Sequence, residues 1–192
     1  MSNILVVTGS VRPNSVNEKV VPLVVSELEA QNAPVKIANL KELNLPFFDA
    51  PVPPSSPDFV ATDEAVKQWT QLVGEADGVV FITPEYNHTM SPIQLNAIDW
   101  ISKEWEDKPI ALVGYGWTSG AHQAHATARE ALAVNLKAKV GDEQTNLFFT
   151  KDLNPDGTVA DEVSVKAKIA ATINELLETA RTPELSLAEA NE

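Results

Sequence analysis

The sequence predicts an α/β protein, a three-layer sandwich with a five-stranded parallel sheet between two layers of helices. Three observations predict it. Short apolar runs bounded by glycine or proline alternate with segments of helical periodicity. The runs are apolar at successive positions rather than at every second one, as in strands covered on both faces. The chain has 192 residues, 44% of them hydrophobic, enough to bury one core without metal or disulfide staples. Strands that alternate with helices pair in parallel, because each crossover lays a helix on a sheet face.

Residues 3–8 form the first buried run, ending at Gly9. Residues 9–16 are a Gly/Ser/Pro/Asn loop. Residues 17–31 place Val20, Val21, Val24, Val25 and Leu28 at helical spacing, with Pro22 early enough to be tolerated. A second strand is expected over 35–40. Residues 41–58 hold five prolines and are expected to be irregular. Helices follow over 60–75, 92–103, 121–136 and 159–181. Strands are expected over 78–83, 110–113 and 146–149. One domain spans 1–182, and 183–192 read as an acidic, flexible tail.

Composition excludes several chemistries. With no cysteine there is no disulfide, no thiolate metal site and no cysteine nucleophile. The formal net charge is −13, and residues 141–192 carry eleven acids against four bases. That balance disfavours nucleic acid and anionic membrane surfaces as partners. No apolar stretch is long enough to span a membrane. The first residues lack the basic and apolar regions of a secretory signal, so the cytoplasm is the expected location.

In an open parallel sheet, ligands sit beyond the carboxyl ends of the strands, where the strand order reverses. For the flavodoxin-like order 2-1-3-4-5 this crevice lies between the loops after the first and third strands. Flavodoxin and its FMN are the type case of that rule, so the placement is borrowed from it. The first loop, Gly9-Ser10-Val11-Arg12-Pro13-Asn14-Ser15-Val16-Asn17, leads into a helix N-terminus, where backbone N–H groups and the helix dipole favour an anion. Ser10 and Ser15 add hydroxyl donors, and Arg12 adds a planar, charged fork. Asn17 either caps the helix or reaches the anion. The loop is neither a Walker motif nor a Gly-x-Gly-x-x-Gly fingerprint, which favours a mononucleotide phosphate.

The loop after the third strand, Pro84-Glu85-Tyr86-Asn87, offers an aromatic face and an amide suited to a planar heterocycle. Glu85 reads equally as a ligand contact or as a structural cap. Gly116-Trp117-Thr118-Ser119-Gly120 borders the same end, and its glycines permit close backbone approach. Trp117 either shields a ring or packs on a neighbouring subunit. His122 and His125, three apart on a helix, read as solvated residues rather than metal ligands. No metal and no catalytic side chain are expected.

Together these loops resemble the NAD(P)H-dependent FMN reductase family, which includes quinone, azo-dye and chromate reductases. GSVRPNSVN is similar to its Gly-Ser-x-Arg-x-x-Ser-x-Asn pattern. PEYNHTMSPIQLNAIDW carries its Pro-Glu-Tyr-Asn and Asn-Ala-Ile-Asp-Trp blocks. GYGWTSGAHQA is similar to Ser-Tyr-Gly-Gly-x-Ser-Gly-Gly. The resemblance covers about residues 3–136. It implies phosphate contacts from Ser10, Arg12, Ser15 and Asn17, with Val16 also among the cofactor-binding residues. It implies ring contacts from Pro84, Glu85, Tyr86 and Asn87, with Gly116, Ser119 and Gly120 completing the FMN site. It implies electron transfer from NADPH or NADH through FMN to quinone-, azo-, flavin- or metal-oxyanion-type acceptors, in a homodimer or homotetramer. Thr89, Ser91-Pro92, Gln94-Leu95, Trp117 and Ala121 depart from the family pattern, the last two at positions where glycine is usual. A flavodoxin-type electron carrier and a flavin-less interaction module are the alternatives.

Overall fold

The computed structural model describes residues 2–181, and the expected tail at 183–192 lies outside them. The elements in order are β1 (Ile4–Thr8), α1 (Asn17–Ala30), β2 (Val35–Asn39), α2 (Leu40–Leu43), α3 (Glu64–Gly74), β3 (Gly78–Pro84), α4 (Pro92–Asp99), β4 (Pro109–Gly116), α5 (His122–Arg129), β5 (Lys139–Phe148) and α6 (Glu162–Arg181). A 3-10 turn, Lys103–Trp105, precedes β4, and a wider π turn, Glu130–Asn135, extends α5. The strands pair in parallel in the order β2-β1-β3-β4-β5, as expected. The order reverses between β1 and β3, which opens the crevice there.

Each inner strand sends alternate residues to opposite faces. Leu5, Val7, Val79, Phe81 and Leu112 face one layer, where Val66, Trp69 and Val73 of α3, Ile98 of α4 and Ala128 of α5 meet them. Ile4, Val6, Val80, Ile82 and Val113 face the other, against Val20, Val24 and Leu28 of α1 and Ile169, Ile173 and Leu177 of α6. Full burial of such a side chain is worth about 1.5–3 kcal/mol. This double coverage is why the strands read as unbroken apolar runs.

Several boundaries differ from expectation. The third helix begins at Glu64 rather than 60, because Asp63 accepts from the backbone N–H of Ala65 and Val66 and starts it there. Within the prolyl stretch a short α2 forms, capped by Asn39, whose side chain accepts from Lys41 N–H. Pro22 lies in the second turn of α1, not the first. It is exposed, so the Glu18 carbonyl left without a donor can meet water.

β5 starts at Lys139, well before the expected 146. It is the sheet's edge strand, with a register shift opposite Ile110 and Leu112. Two side chains satisfy its backbone groups there. Arg129 donates to the carbonyls of Val140 (3.0 Å) and Gly141 (2.5 Å). Glu175 accepts from the N–H groups of Asp142 (3.0 Å) and Glu143 (2.7 Å).

The prolyl loop is pinned to α4. Asn96 Nδ2 and Trp100 Nε1 both donate to the Pro46 carbonyl, and Asn96 Oδ1 accepts from Phe48 N–H. The Phe48 and Trp100 rings meet edge to face at 5.1 Å. The Asn-Ala-Ile-Asp-Trp block thus holds this loop, and Trp105 beside it is core, against Trp69 and Phe81.

Candidate functional site

A cleft of about 370 Å³ opens at the carboxyl ends of β1, β3 and β4. That volume is in the range of small-molecule sites. Of the residues singled out in the sequence, it brings together Ser10, Arg12, Ser15, Val16, Pro84, Glu85, Tyr86 and Gly116. Asn17, Asn87, Ser119 and Gly120 are not in its lining.

The first wall is the β1–α1 loop. Gly9 is required because a Cβ there would fall 2.5 Å from the buried Gln94 side chain. Gln94 accepts from Thr83 Oγ1 and Ser91 Oγ and donates to the Ile82 carbonyl, tying the end of β3 to the start of α4. Ser10 Oγ lies 3.0 Å from Tyr86 Oη, joining the two loops across the cleft. Arg12 projects exposed from the loop. No side chain caps α1, so the positive end of its dipole faces the cleft unanswered by any group of its own. Asn17, in the first turn, is buried. Its Oδ1 accepts from Tyr115 Oη at 2.7 Å, while its Nδ2 has no partner among the described residues.

The second wall follows β3. Glu85 N–H donates to the Tyr115 carbonyl, continuing the ladder past Pro84. Tyr86 and Thr89 exchange both backbone hydrogen bonds at 3.0 Å around Asn87 and His88, whose φ angles are 50° and 62°. This is a two-residue turn with both central residues left-handed, and it leaves Asn87 and His88 exposed. The Glu85 side chain is only 5% exposed. It accepts from Ser119 Oγ (2.5 Å) and from the backbone N–H of Gln123 (3.0 Å) and Ala124 (3.3 Å). Glu85 therefore caps α5 from a neighbouring loop, a role its own predecessor Ala121 cannot fill. Ala121 sits at φ 85°, a conformation that suits glycine.

A further wall was not anticipated. The segment after β5 contributes Phe149, Pro155, Asp156 and Gly157. Gly157 has φ 83°, and a Cβ there would approach Val16 Cγ2 to 2.8 Å. Buried Asp152 anchors the segment by accepting from Phe148 N–H and from Lys168 Nζ. The Asn154-Pro155-Asp156-Gly157 run was the available signal, since it specifies a turn. The Trp117 indole stacks on the Phe149 ring at 4.5 Å with 9° between planes. Tyr115 meets Phe149 edge-on. Burial pushes the Tyr115 hydroxyl well above the ordinary tyrosine range, with Tyr86 acting the same way. It therefore stays a neutral donor.

The family-model comparison finds that residues 2–150 match NADPH-dependent FMN reductase. The chain belongs to this family. It is thus an oxidoreductase of a family whose members use FMN and NAD(P)H. It is similar to the NAD(P)H-dependent FMN reductase ntnL of Nectria sp, 32% identical over 171 residues, covering 85% of this chain and 83% of that one. It is also similar to a quinone reductase of Pseudomonas putida, 31% identical over 141 residues, covering 70% and 72%. In fold it is similar to FerB of Paracoccus denitrificans, a flavoenzyme NAD(P)H:(acceptor) oxidoreductase, at TM-score 0.72 and 22% identity, covering 93% and 99%.

His125 in this reductase departs from the solvated position expected of it. The side chain is fully buried, not solvated; of this pair, His122 alone is exposed. Its imidazole lies against β4 at Gly114, where a Cβ would fall 2.5 Å from Nε2. Neither ring nitrogen has a hydrogen-bond partner among the described residues. Burial lowers its pKa to about 4, Gln144 and Glu85 opposing and His122 and Arg129 assisting. Among the described residues no group of three or more His, Asp or Glu could hold a metal, and no helix is long and apolar enough to cross a membrane.

Proposed function

We propose that the cleft binds FMN and that the protein reduces quinone-type acceptors at the expense of NADPH or NADH. The observation that carries this is the uncapped N-terminus of α1 opening, beside Arg12 and the Ser10 and Ser15 hydroxyls, onto a cleft of ligand size. The unpartnered Asn17 Nδ2 beside this wall fits a group with acceptor oxygens. In this reading Ser10, Arg12, Ser15, Val16 and Asn17 hold the phosphate. Pro84, Glu85, Tyr86 and Asn87 border the ring on one side, with Glu85 acting through the loop it braces. Gly116, Ser119 and Gly120 keep the backbone of the opposite loop close.

Bound FMN supplies a two-electron carrier between a dihydronicotinamide and the acceptor, as cofactors do when the protein contributes position and electrostatics. Overall, NAD(P)H, one proton and a quinone become NAD(P)+ and a hydroquinone. The side chains move no proton in this scheme. Arg12 offsets the phosphate charge in a chain of net charge −13.

The test is titration with FMN and with riboflavin, followed by steady-state oxidation of NADPH and NADH with a naphthoquinone. Equal affinity for the two flavins, or no quinone-dependent oxidation, refutes the reading. Azo dyes, free flavin and metal oxyanions belong to the same acceptor panel. Assembly as a homodimer or homotetramer in the cytoplasm completes the reading. Light scattering after gel filtration measures the assembly.

A further inference from the structure

A second cleft, of about 630 Å³, borders the β1–α1 loop on the side of β2. Ser10, Arg12 and Ser15 line both clefts, so this loop is the wall between them. The rest of the second cleft comes from the first turns of α1, from the carboxyl end of β2 and from the residues just after it. Its floor is apolar. Ile37 pairs with Val6 and so faces the α1 layer, yet it is 51% exposed, the one large apolar strand side chain left exposed among the described residues. Val21 and Pro22 of α1 line the cleft with it. The rim is polar, and Asn39 in it is engaged through both ends of its amide. Its Oδ1 accepts from Lys41 N–H (3.2 Å) and Thr8 Oγ1 (3.4 Å), and its Nδ2 donates to Glu42 Oε1 (2.7 Å). Lys41 is exposed, and its ammonium forms no ion pair among the described residues.

We infer that this second cleft seats the adenosine end of NADPH, with the adenine over Ile37 and the ribose 2′-phosphate at Lys41. The inference rests on the FMN reading, in which the nicotinamide enters the first cleft. It deepens that reading by naming the preferred nucleotide and the residue that prefers it. A dinucleotide has two heads joined by a flexible diphosphate, so one head can lie on each side of a single loop. In dinucleotide-binding sheets a carboxylate after the second strand takes the free 2′-hydroxyl of NADH, whereas a nearby cation accommodates the added phosphate of NADPH. Here β2 ends in Asn39, whose oxygen is already engaged, and the free group beside it is the Lys41 ammonium. Lysine meets a phosphate as a point charge. Glu18 and Glu42 share the lining and offset Lys41 and Arg12, so a bare anion gains little there. Adenosine brings an amine and a hydroxyl that carboxylates accept, along with its phosphate. An apolar floor with a few placed polar groups suits such a ligand.

The test titrates 2′,5′-ADP, 5′-AMP and inorganic phosphate by calorimetry into wild type, Lys41→Gln and Lys41→Arg, with and without bound FMN. Wild type should bind 2′,5′-ADP more tightly than 5′-AMP, and inorganic phosphate more weakly than either. Lys41→Gln should weaken 2′,5′-ADP by about five- to thirtyfold, a charged hydrogen bond reduced by exposure, and 5′-AMP by less than about twofold. Lys41→Arg should recover most of the loss. Ile37→Ser should weaken both adenosine ligands alike, since both carry the adenine. In FMN-loaded protein, 2′,5′-ADP should compete with NADPH, and Lys41→Gln should raise the KM for NADPH far more than that for NADH. An equal loss for 2′,5′-ADP and 5′-AMP in Lys41→Gln, or no loss, overturns the inference. So does displacement of FMN by 2′,5′-ADP, which would put the nucleotide in the first cleft. Binding of 2′,5′-ADP that leaves NADPH oxidation untouched overturns it as well. Failure of the wild type to bind FMN is seen in a separate FMN titration and defeats the functional reading. The 2′,5′-ADP titration of flavin-free protein then still decides whether the second cleft takes the nucleotide.

Discussion

Replacing Glu85 with alanine separates its two possible roles. The carboxylate accepts from Ser119 Oγ, Gln123 N–H and Ala124 N–H, and α5 has no side-chain cap of its own. Losing a cap costs about 0.5–2 kcal/mol. Losing a negative charge at a helix N-terminus costs about 0.3–1 kcal/mol, and up to about 2 where partly buried. The side chain is 5% exposed, which favours the upper part of each range. Gln123 is exposed, so water can reach its freed N–H, which holds the sum down. A loss of about 2–3 kcal/mol follows, or a fall in Tm of about 4–12 °C for a domain of this size. Glu85→Gln keeps an acceptor oxygen and should lose about half as much. The assay is urea unfolding at neutral pH, with and without FMN. A capping carboxylate gives the full loss in flavin-free protein. A loss under about 0.5 kcal/mol there, or one present only with FMN, would refute the argument.

Four further outcomes are expected. Arg12→Ala should weaken FMN binding by about 1.5–3 kcal/mol, the range for hydrogen bonds to charged groups, or roughly ten- to a hundredfold. Calorimetry should show riboflavin binding unaffected. Steady-state kinetics should give parallel double-reciprocal lines, since donor and acceptor take turns in one cleft; intersecting lines would contradict a shared site. Tyr115→Phe removes the donor to buried Asn17 Oδ1 and should cost about 1–3 kcal/mol in urea unfolding. For His125 the folded pKa of about 4 lies below the ordinary histidine value of 6.5. Its contribution is therefore complete above pH 6.5. It is lost as pH falls toward 4, because the unfolded chain takes up a proton that the folded chain refuses. The loss is about 3 kcal/mol across that window. His125→Leu should flatten this part of the stability profile relative to wild type.

The central strands and the two loops at their carboxyl ends were legible because each obeys a local rule. β1, β3 and β4 are covered on both sides and so read as apolar runs. The β1–α1 loop is a set of donors at a helix start. β5 was cut short because its first half, Lys139-Val140-Gly141-Asp142-Glu143, lies at the sheet edge, where polar residues are tolerated. His125 was misplaced because its burial depends on Gly114, a strand glycine far away in sequence, which leaves space for the imidazole. The Trp117–Phe149 contact joins the ends of two strands, and no spacing rule announces it. Asn96 and Trp100 were visible as a motif, but their partner, the Pro46 carbonyl, belongs to a loop without periodicity.

The side chains bonded to the backbone of β5 also bear on whether another strand can pair with this edge strand. A bare strand edge is a template onto which another chain can extend the ladder, the first step of edge-to-edge aggregation. Here the carbonyls of Val140 and Gly141 are already committed to Arg129, and the N–H groups of Asp142 and Glu143 to Glu175. An incoming strand would have to displace a guanidinium and a carboxylate before forming its first bonds. Extending the sheet through this stretch therefore carries the cost of breaking hydrogen bonds already made.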